Sequence, residues 1–179
     1  MRQVVVVSGP PGAGKTTLAR PLAAALGFPL FSKDDIKEAL FDVLGHLDAD
    51  PFASSKRIGG AAMELLWRLA EAAPCVVLEA NFRPRSDLER SRLRTLTASP
   101  VEVYCRLPAE LAAARYARRG ALDTHHEVHV ARSLPLSSFD EFQEPLALGP
   151  VIEVDTSTAI DVAALAAEVE LLLRSRHVG

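Results

Sequence analysis

The sequence predicts an α/β fold in which parallel strands alternate with helices. Short apolar runs along the chain are each followed by a segment whose apolar residues recur at helical spacing. This alternation is typical of βα units, which build parallel sheets. The 179 residues match the size of one α/β domain, so we expect a single domain over residues 1–179, and a hydrophobic fraction of 49% supplies its core.

The first strand and the first helix flank a glycine-rich loop. Residues 3–7 are a short β-branched run, as expected for a buried parallel strand, and residues 17–26 read as a helix ending at Gly27. The loop between them reads Gly9-Pro10-Pro11-Gly12-Ala13-Gly14-Lys15-Thr16. It matches G-x-x-x-x-G-K-[ST], the pattern of a phosphate-binding loop, or P-loop. A glycine turn before an ordinary helix is the alternative, but the strand before and the helix after favour a P-loop.

The residue types of this loop suit a nucleotide triphosphate. Glycines let the backbone approach a ligand, and consecutive N–H groups then form an anion nest at the positive end of the helix dipole. Lys15 should reach the β- and γ-phosphates, and the Thr16 hydroxyl should bind Mg²⁺. Thr17 could donate to the α-phosphate. We therefore expect ATP and Mg²⁺ at residues 9–17.

Two acids follow the second predicted strand, residues 28–32. Asp34 or Asp35 could cap the next helix, which is a common role for an acid. A carboxylate at the carboxyl end of a strand beside the P-loop strand could also accept the proton of an attacking hydroxyl. The two roles are compatible, and we take both residues as candidate substrate contacts.

The third predicted strand, Cys75–Glu79, ends in an acid. An apolar strand that presents a terminal carboxylate has the Walker B form, in which the acid holds Mg²⁺ or its water ligands. Glu79 is therefore a candidate metal ligand. In the loop that follows, Asn81 and Arg83 are candidate contacts of substrate or phosphate, although an ordinary surface loop would look the same.

An arginine-rich helix end predicts a lid. Residues 109–119 read as a helix with Arg115 and Arg119 near its end, and residues 120–127 are small and polar. Arginines that close over a nucleotide neutralise charge on the transferring phosphoryl group and exclude water. Favourable pairing of cations with a helix C-terminus is a compatible alternative. We place the lid at roughly residues 115–135.

The remaining elements complete the alternation. Residues 45–55 are polar and contain a proline, which predicts a loop. The last strand, Val151–Asp155, is followed by Thr156, beside which an adenine could lie. The further predicted elements are helices at 55–73, 86–97 and 160–174, a short helix at 137–142, and a strand at 100–105.

Other polar residues have less specific interpretations. Lys56 and Arg57 could hold a substrate anion, although exposed bases near a helix start are usually solvated. His125, His126 and His129 lack the acid or cysteine spacing of a zinc site. We interpret these histidines as solvated lid residues that could face the substrate.

Composition disfavours several classes of partner without excluding nucleic acid. The formal net charge of −3 provides no global basic field for nucleic acid or membranes. Cys75 and Cys105 lie in or beside apolar runs and are expected to be reduced and buried. The chain enters its first strand almost at once, so no signal peptide is expected, and no apolar run is long enough to span a bilayer. A cytoplasmic enzyme is the expectation.

These motifs resemble those of P-loop kinases of the nucleoside-monophosphate-kinase type. They look most like AAA-type small ATPases that group with polynucleotide 5′-kinase, chloramphenicol phosphotransferase and zeta-toxin-like kinases. The resemblance rests on residues 9–17, 32–37, 77–84, 115–120 and 154–156. It implies a three-layer sandwich around a five-stranded parallel sheet in the order 2-3-1-4-5. It also implies Asp34 as the general base and Arg119 as a lid arginine near the phosphates, with Glu79 where polynucleotide kinases usually carry aspartate.

Three functions are compatible with this resemblance. The first is an ATP-dependent kinase that phosphorylates a hydroxyl of a small molecule, such as an antibiotic, sugar or nucleoside. The second is a polynucleotide 5′-hydroxyl kinase, which the net charge and the few aromatic residues disfavour. The third is a nucleotide-binding regulatory or toxin-like protein with little turnover. The acceptor and the oligomeric state are not encoded in a readable pattern.

Overall fold

The computed structural model describes residues 2–122 and 125–175, and its elements follow the predicted alternation. The strands are β1 (Gln3–Ser8), β2 (Leu30–Ser32), β3 (Cys75–Glu79), β4 (Val101–Arg106) and β5 (Val151–Asp155). The α-helices are α1 (Lys15–Leu26), α2 (Lys33–Leu44), α3 (Pro51–Ala72), α4 (Asp87–Leu96), α5 (Ala109–Gly120) and α6 (Val162–Arg174). A short 3₁₀ helix covers Leu136–Phe142.

The strands form one parallel sheet in the order β2-β3-β1-β4-β5, which confirms the predicted fold class and strand order. Val7 of β1 and Ser32 of β2 both lie opposite Glu79 of β3 in the register. The carboxyl ends of these three strands therefore meet at one edge of the sheet, next to the loop that follows β1. Ligands of open α/β sheets bind at such an edge.

Alternation along β1 divides the core between the two faces of the sheet. Val5 and Val7 are fully buried on one face, in a cluster that includes residues of α1, α5 and α6. Val4 and Val6 are fully buried on the other face, in a cluster that includes residues of α3 and α4. Both faces of the central strand are covered, as parallel sheets require, and the result is the expected three-layer sandwich.

The starts of two helices differ from the sequence prediction. Neither Asp34 nor Asp35 caps α2, because the Ser32 hydroxyl accepts a hydrogen bond from the Asp35 N–H at 3.4 Å. Helix α3 begins at Pro51 rather than residue 55, because the Asp50 carboxylate caps it by accepting from two N–H groups and proline suits the first helical position. The predicted loop at 45–55 is correspondingly shorter.

Smaller deviations concern a strand, a helix and a cysteine. Strand β2 has three residues rather than five, and α6 begins at Val162, where the Asp161 side chain caps it. Cys105 is buried as expected, but Cys75 is only partly buried because it begins β3. Both cysteines are free thiols.

Candidate active site

The P-loop has the shape that phosphate binding requires. Gly12 and Gly14 have positive φ angles of 78° and 81°, which side chains with a Cβ rarely adopt. A Cβ at Gly12 would also stand 2.4 Å from the Ala112 carbonyl oxygen of α5, so the loop packs closely against that helix. No side chain caps the start of α1, and no acid lies in its first turn. The positive end of the α1 dipole is thus left to an anion.

Lys15 and Glu79 bring opposite charges into the buried floor of the site. Lys15 is 5% exposed, and its Nζ donates to the Pro10 carbonyl oxygen at 2.8 Å. Glu79 Oε2 accepts from the Ser32 hydroxyl at 2.7 Å and from the Thr16 hydroxyl at 3.3 Å. Burial lowers the pKa of Lys15, and Glu79 offsets part of that effect. Burial likewise raises the pKa of Glu79, with Lys15 opposing it.

Asp34 and Asp35 point in different directions. Asp34 faces the P-loop and accepts from Lys33 Nζ at 3.1 Å. Burial raises the pKa of Asp34, but Lys33, His129 and Lys15 outweigh burial and hold the pKa below its usual value. Both carboxylate oxygens of Asp35 instead accept from one Arg20 guanidinium nitrogen, at 3.0 and 2.9 Å, on the exposed side of α2. Of the two acids, only Asp34 lines the cavity above the P-loop.

That cavity, called the phosphate cavity below, has a volume of about 210 Å³. It unites the P-loop with the carboxyl ends of the strands, the start of α2 and the end of α5. Its lining residues are Pro11, Gly12, Gly14, Lys15, Thr16, Thr17, Lys33, Asp34, Lys37, Glu79, Asn81, Tyr116, Arg119 and His129. Four predicted side chains with distinct chemistry, those of Lys15, Asp34, Glu79 and Arg119, therefore share one space.

The two predicted lid arginines serve different parts of the site. Arg119 lines the phosphate cavity, and its guanidinium lies 5.5 Å from the centre of the Tyr116 ring. Arg115 donates to the Thr156 carbonyl oxygen at 3.0 Å. Arg115 and Thr156 line a separate cavity, which shares Gly14 and Thr17 with the phosphate cavity. The predicted positions for an adenine thus adjoin the P-loop.

The segment after α5 is docked rather than solvated, contrary to our interpretation of its histidines. Val128 is 1% exposed and packs with Phe41 and Ile58. His126 Nε2 lies 3.0 Å from Asp42 and His129 Nε2 lies 2.9 Å from Glu38. These two histidines therefore have protein partners on α2, and not water alone. Asp123 and Thr124, within the predicted lid, lie outside the described residues.

Asn81 and Arg83 mark a second cavity beside the first. Asn81 lines both cavities, whereas Arg83 lines only the second. Glu89 accepts from the Arg83 N–H at 2.8 Å and from its Nε at 2.7 Å. At the start of α4 the Ser86 hydroxyl accepts from the Glu89 N–H, while the Glu89 carboxylate binds Arg83.

Sequence reasoning missed two lysines of the site. Lys33 and Lys37 line both cavities, and Lys37 is 7% exposed. The signal was available, because residues four apart on a helix share a face and both lysines flank Asp34 on α2. The face of α2 that carries Lys33 and Lys37 borders the second cavity.

The donor set fits Mg²⁺. A carboxylate oxygen of Glu79 and the hydroxyl of Thr16 lie 3.3 Å apart at the end of the Lys15-bearing loop, and both are oxygen ligands of the kind that Mg²⁺ prefers. Among the described residues, no group of three or more histidine, cysteine, aspartate or glutamate side chains forms a metal site by itself. Mg²⁺ is usually held by one or two protein groups together with substrate phosphates.

Fold and site together define a P-loop protein with a five-stranded parallel sheet in the order 2-3-1-4-5. The sequence model of the family described as AAA domain matches residues 4–142. The chain therefore belongs to this family, which confirms the resemblance to P-loop kinases of the small AAA type. No curated protein matches the chain.

Solved structures with the same fold cover nearly the whole chain. A protein from Chloroflexus aurantiacus described as a candidate kinase is 30% identical, with a TM-score of 0.79 over 96% of this chain and 98% of that one. Shikimate kinase from Acinetobacter baumannii, in complex with shikimate, is 20% identical, with a TM-score of 0.61 over 100% and 97%. A gluconokinase from Sinorhizobium meliloti is 18% identical, with a TM-score of 0.52 over 98% and 93%. The latter two likenesses establish the fold alone.

In the part of the chain that the structure describes, no helix combines the length and the apolar character needed to cross a bilayer.

Proposed function

We propose that the protein is an ATP-dependent kinase that transfers the γ-phosphoryl group to a hydroxyl of a small molecule. The observation that carries the proposal is the convergence of Lys15, Asp34 and Arg119 on one cavity at the P-loop. A phosphate-binding loop alone would serve any nucleotide-binding protein. Phosphoryl transfer to a hydroxyl also requires a general base. The partly buried carboxylate of Asp34, whose pKa is held below its usual value, lies next to that loop.

Each side chain has a role in this reaction. The P-loop amides and Lys15 bind the phosphates of ATP. Arg115 and Thr156 border the cavity for the adenine. The acceptor oxygen attacks the γ-phosphorus, the bond to the β-phosphate oxygen breaks, and Asp34 takes the hydroxyl proton. Arg119 stabilises charge on the transferring group. ADP and the phosphorylated acceptor are the products.

Thr16 and Glu79 would hold Mg²⁺, which supplies neutralisation of the phosphate charge when bound. The site excludes water through the docked segment around Val128 and His129, which closes against α2. We infer that this segment and the end of α5 form the lid. Catalysis then rests mainly on positioning and electrostatics, because the transition state of phosphoryl transfer is loose. We also propose that the enzyme works in the cytoplasm.

One observation weighs against a polynucleotide acceptor. The three arginines that could track a nucleic-acid backbone are each paired with an acid: Arg57 with Asp48, Arg83 with Glu89, and Arg85 with Glu144. A paired arginine has little positive potential left for phosphates. We therefore favour a small acceptor.

The test compares Asp34→Asn with Asp35→Asn. ADP release with ATP and Mg²⁺ is measured against a panel of hydroxylated sugars, sugar acids, nucleosides, antibiotics and a 5′-hydroxyl oligonucleotide. Loss of a general base costs about 10²–10⁴-fold in rate, so Asp34→Asn should lose transfer to the acceptor that wild type uses. Affinity for a non-hydrolysable ATP analogue should stay within a few fold.

Asp35→Asn is the matched control, because Asp35 contacts Arg20 and does not line the phosphate cavity. It should retain transfer. Loss of transfer in Asp35→Asn but not in Asp34→Asn would reverse the assignment of the base. Slow ATP loss without a phosphorylated product, in wild type and across the panel, would contradict the kinase proposal and favour a regulatory protein.

A further inference from the structure

A second cavity, called the acceptor cavity below, opens beside the phosphate cavity. It has a volume of about 570 Å³. The residues that line it are Lys33, Lys37, Phe52, Ser55, Lys56, Gly59, Gly60, Met63, Ala80, Asn81, Arg83 and Glu89. Lys33, Lys37 and Asn81 also line the phosphate cavity, so the two cavities adjoin at these three residues, next to Asp34 of the phosphate cavity.

The charges that line the acceptor cavity do not balance. Four cationic side chains and one acid face it. Lys33 is paired with Asp34, and Arg83 is paired with the nearly buried carboxylate of Glu89. Within the described residues, 2–122 and 125–175, neither Lys37 nor Lys56 has a carboxylate within ion-pair distance. Two positive charges in this cavity therefore lack a carboxylate partner.

Lys37 is the more informative of the two, because it is buried. Its Nζ donates to the Ser55 hydroxyl at 2.8 Å and to the Val128 carbonyl oxygen at 3.3 Å, and both acceptors are neutral. An ammonium group has three donors, so one remains for a ligand. The charged groups that act on Lys37 are Lys33, Asp34 and Glu38 of its own helix, and His129 of the docked segment.

Burial without a compensating charge is costly for a lysine. Burial and then Lys33 lower the pKa of Lys37 to about 8, against the opposing effect of Asp34 and Glu38. Binding of an anion beside Lys37 is therefore favourable, because the anion supplies the negative charge that the protein itself does not place next to the buried ammonium group.

The part of α3 that lines the acceptor cavity beside Lys37 has no side chain at two consecutive positions. Gly59 and Gly60 lie side by side in the interior of α3, where glycine is unfavourable relative to alanine. A Cβ at Gly59 would stand 3.6 Å from Lys37 Cε, and a Cβ at Gly60 would meet no atom within 4 Å. Phe52 and Met63 add apolar surface to the same part of α3.

We propose that the acceptor is a small hydroxylated molecule that carries a carboxylate or phosphate group, bound by Lys37 and Lys56 with its hydroxyl directed to Asp34. The inference rests on the proposed kinase function and names the substrate class of that site. Lys33 bridges the two halves, because it lines both cavities and contacts Asp34. An oligonucleotide would need cations that continue outside the cavity, and Arg57 and Arg85 are paired with acids there.

The first experiment measures anion binding apart from transfer. The P-loop is saturated with Mg²⁺ and a non-hydrolysable ATP analogue, and inorganic phosphate and acetate are titrated as probes by calorimetry. Wild type should bind one equivalent of either or both. Lys56→Gln should weaken that binding about tenfold or more, because it removes a charge-assisted hydrogen bond. Which probe binds tighter identifies the anionic group as phosphate or carboxylate.

Arg57→Gln is the matched control. Arg57 is adjacent in sequence, but it is paired with Asp48 and does not line the acceptor cavity, so its loss should leave the anion affinity within twofold. Both positions are exposed, so neither substitution disturbs the core. Absence of saturable binding of both probes in wild type, or equal affinity in wild type and Lys56→Gln, overturns the inference.

The second experiment uses transfer. ADP release is compared among D-gluconate, glucose 6-phosphate and sorbitol, which present similar hydroxyls with and without an anionic group. The charged compounds should be used at least tenfold better in kcat/KM, and Lys56→Gln should abolish that preference. Preference for sorbitol or for a 5′-hydroxyl oligonucleotide overturns the substrate class while the kinase proposal stands. Intact anion binding without any phosphorylated product, across the acceptor panel, instead refutes the kinase proposal.

Discussion

The substitution Lys37→Met should stabilise the protein at neutral pH and destabilise it at alkaline pH. Lys37 is 7% exposed, and methionine fills a similar volume without a charge. The free energy of unfolding of the variant relative to wild type therefore isolates the cost of burying this ammonium group.

The magnitude follows from the lowered pKa. The pKa falls from 10.5 in the unfolded chain to about 8 in the folded protein, which corresponds to ~3 kcal/mol of unfavourable free energy for the charged form. Methionine removes this cost but also loses the hydrogen bonds to Ser55 and Val128, worth about 1 kcal/mol each. At pH 7 the variant should therefore be more stable by about 1–2 kcal/mol.

The pH dependence has a defined sign. Between pH 8 and 10.5 the unfolded chain binds a proton at Lys37 that the folded protein does not, so wild-type stability rises with pH in this window. The cost of the buried charge is fully present below pH 8 and absent above 10.5. By pH 10 wild type should have regained most of the ~3 kcal/mol, and the variant should be the less stable of the two.

Urea unfolding at pH 7 and pH 10 measures this difference, and other groups that titrate in the same range cancel between variant and wild type. Lys56→Met is the matched control, because Lys56 lies in the same cavity but is exposed, so its removal takes no buried charge away. A difference between Lys37→Met and wild type that stays constant from pH 7 to pH 10 would refute the reasoning.

Two further substitutions test the acceptor cavity and the support of the P-loop. Gly60→Ala should stabilise α3 by about 0.5–1 kcal/mol in urea unfolding, since its Cβ meets no atom, while raising KM for the acceptor; an unchanged KM would place the acceptor elsewhere. Glu102→Gln should cost about 1–3 kcal/mol in the same assay, because its buried carboxylate accepts from the Ser8 hydroxyl and from two backbone N–H groups and an amide nitrogen cannot accept. Glu153→Gln, on an exposed position of β5, is its control, and equal losses in the two variants would contradict the proposed network.

The elements that the sequence predicted well are those whose signal is local. The P-loop, β3 and β5 each carry their pattern within a few consecutive residues, and the structure has β3 and β5 with the predicted bounds. The strand order came from the resemblance to a family, because the pairing of Val7 with Glu79 is not encoded in either segment alone. The predicted cap was wrong where three candidate capping residues lie close together, as Ser32, Asp34 and Asp35 do at the start of α2.

The acceptor cavity could not be predicted, because its residues come from four separate segments, one of which, α4, contributes Glu89. Lys33 and Lys37 belong to α2, Lys56 and the two glycines to α3, and Asn81 and Arg83 to the loop after β3. In the sequence, Lys56 and Arg57 are equivalent neighbours. Only the orientation of α3 distinguishes them, by directing Lys56 into the cavity and Arg57 towards Asp48. Long-range packing of this kind leaves no periodic signal.

Helix α2 organises the site through its 3.6-residue period. Asp34, Glu38 and Asp42 are each four residues apart and form an acidic stripe, which faces the phosphate cavity and then the two histidines of the docked segment. Lys33 and Lys37 form a neighbouring basic stripe towards the acceptor cavity.

Asp35 belongs to neither stripe of α2. Adjacent residues on a helix are about 100° apart, so a helix start that directs Asp34 at the P-loop must direct Asp35 elsewhere. Arg20 of α1 holds Asp35 on that other side. The proposed choice of Asp34 over Asp35 as the base therefore follows from the position of the helix start at Ser32.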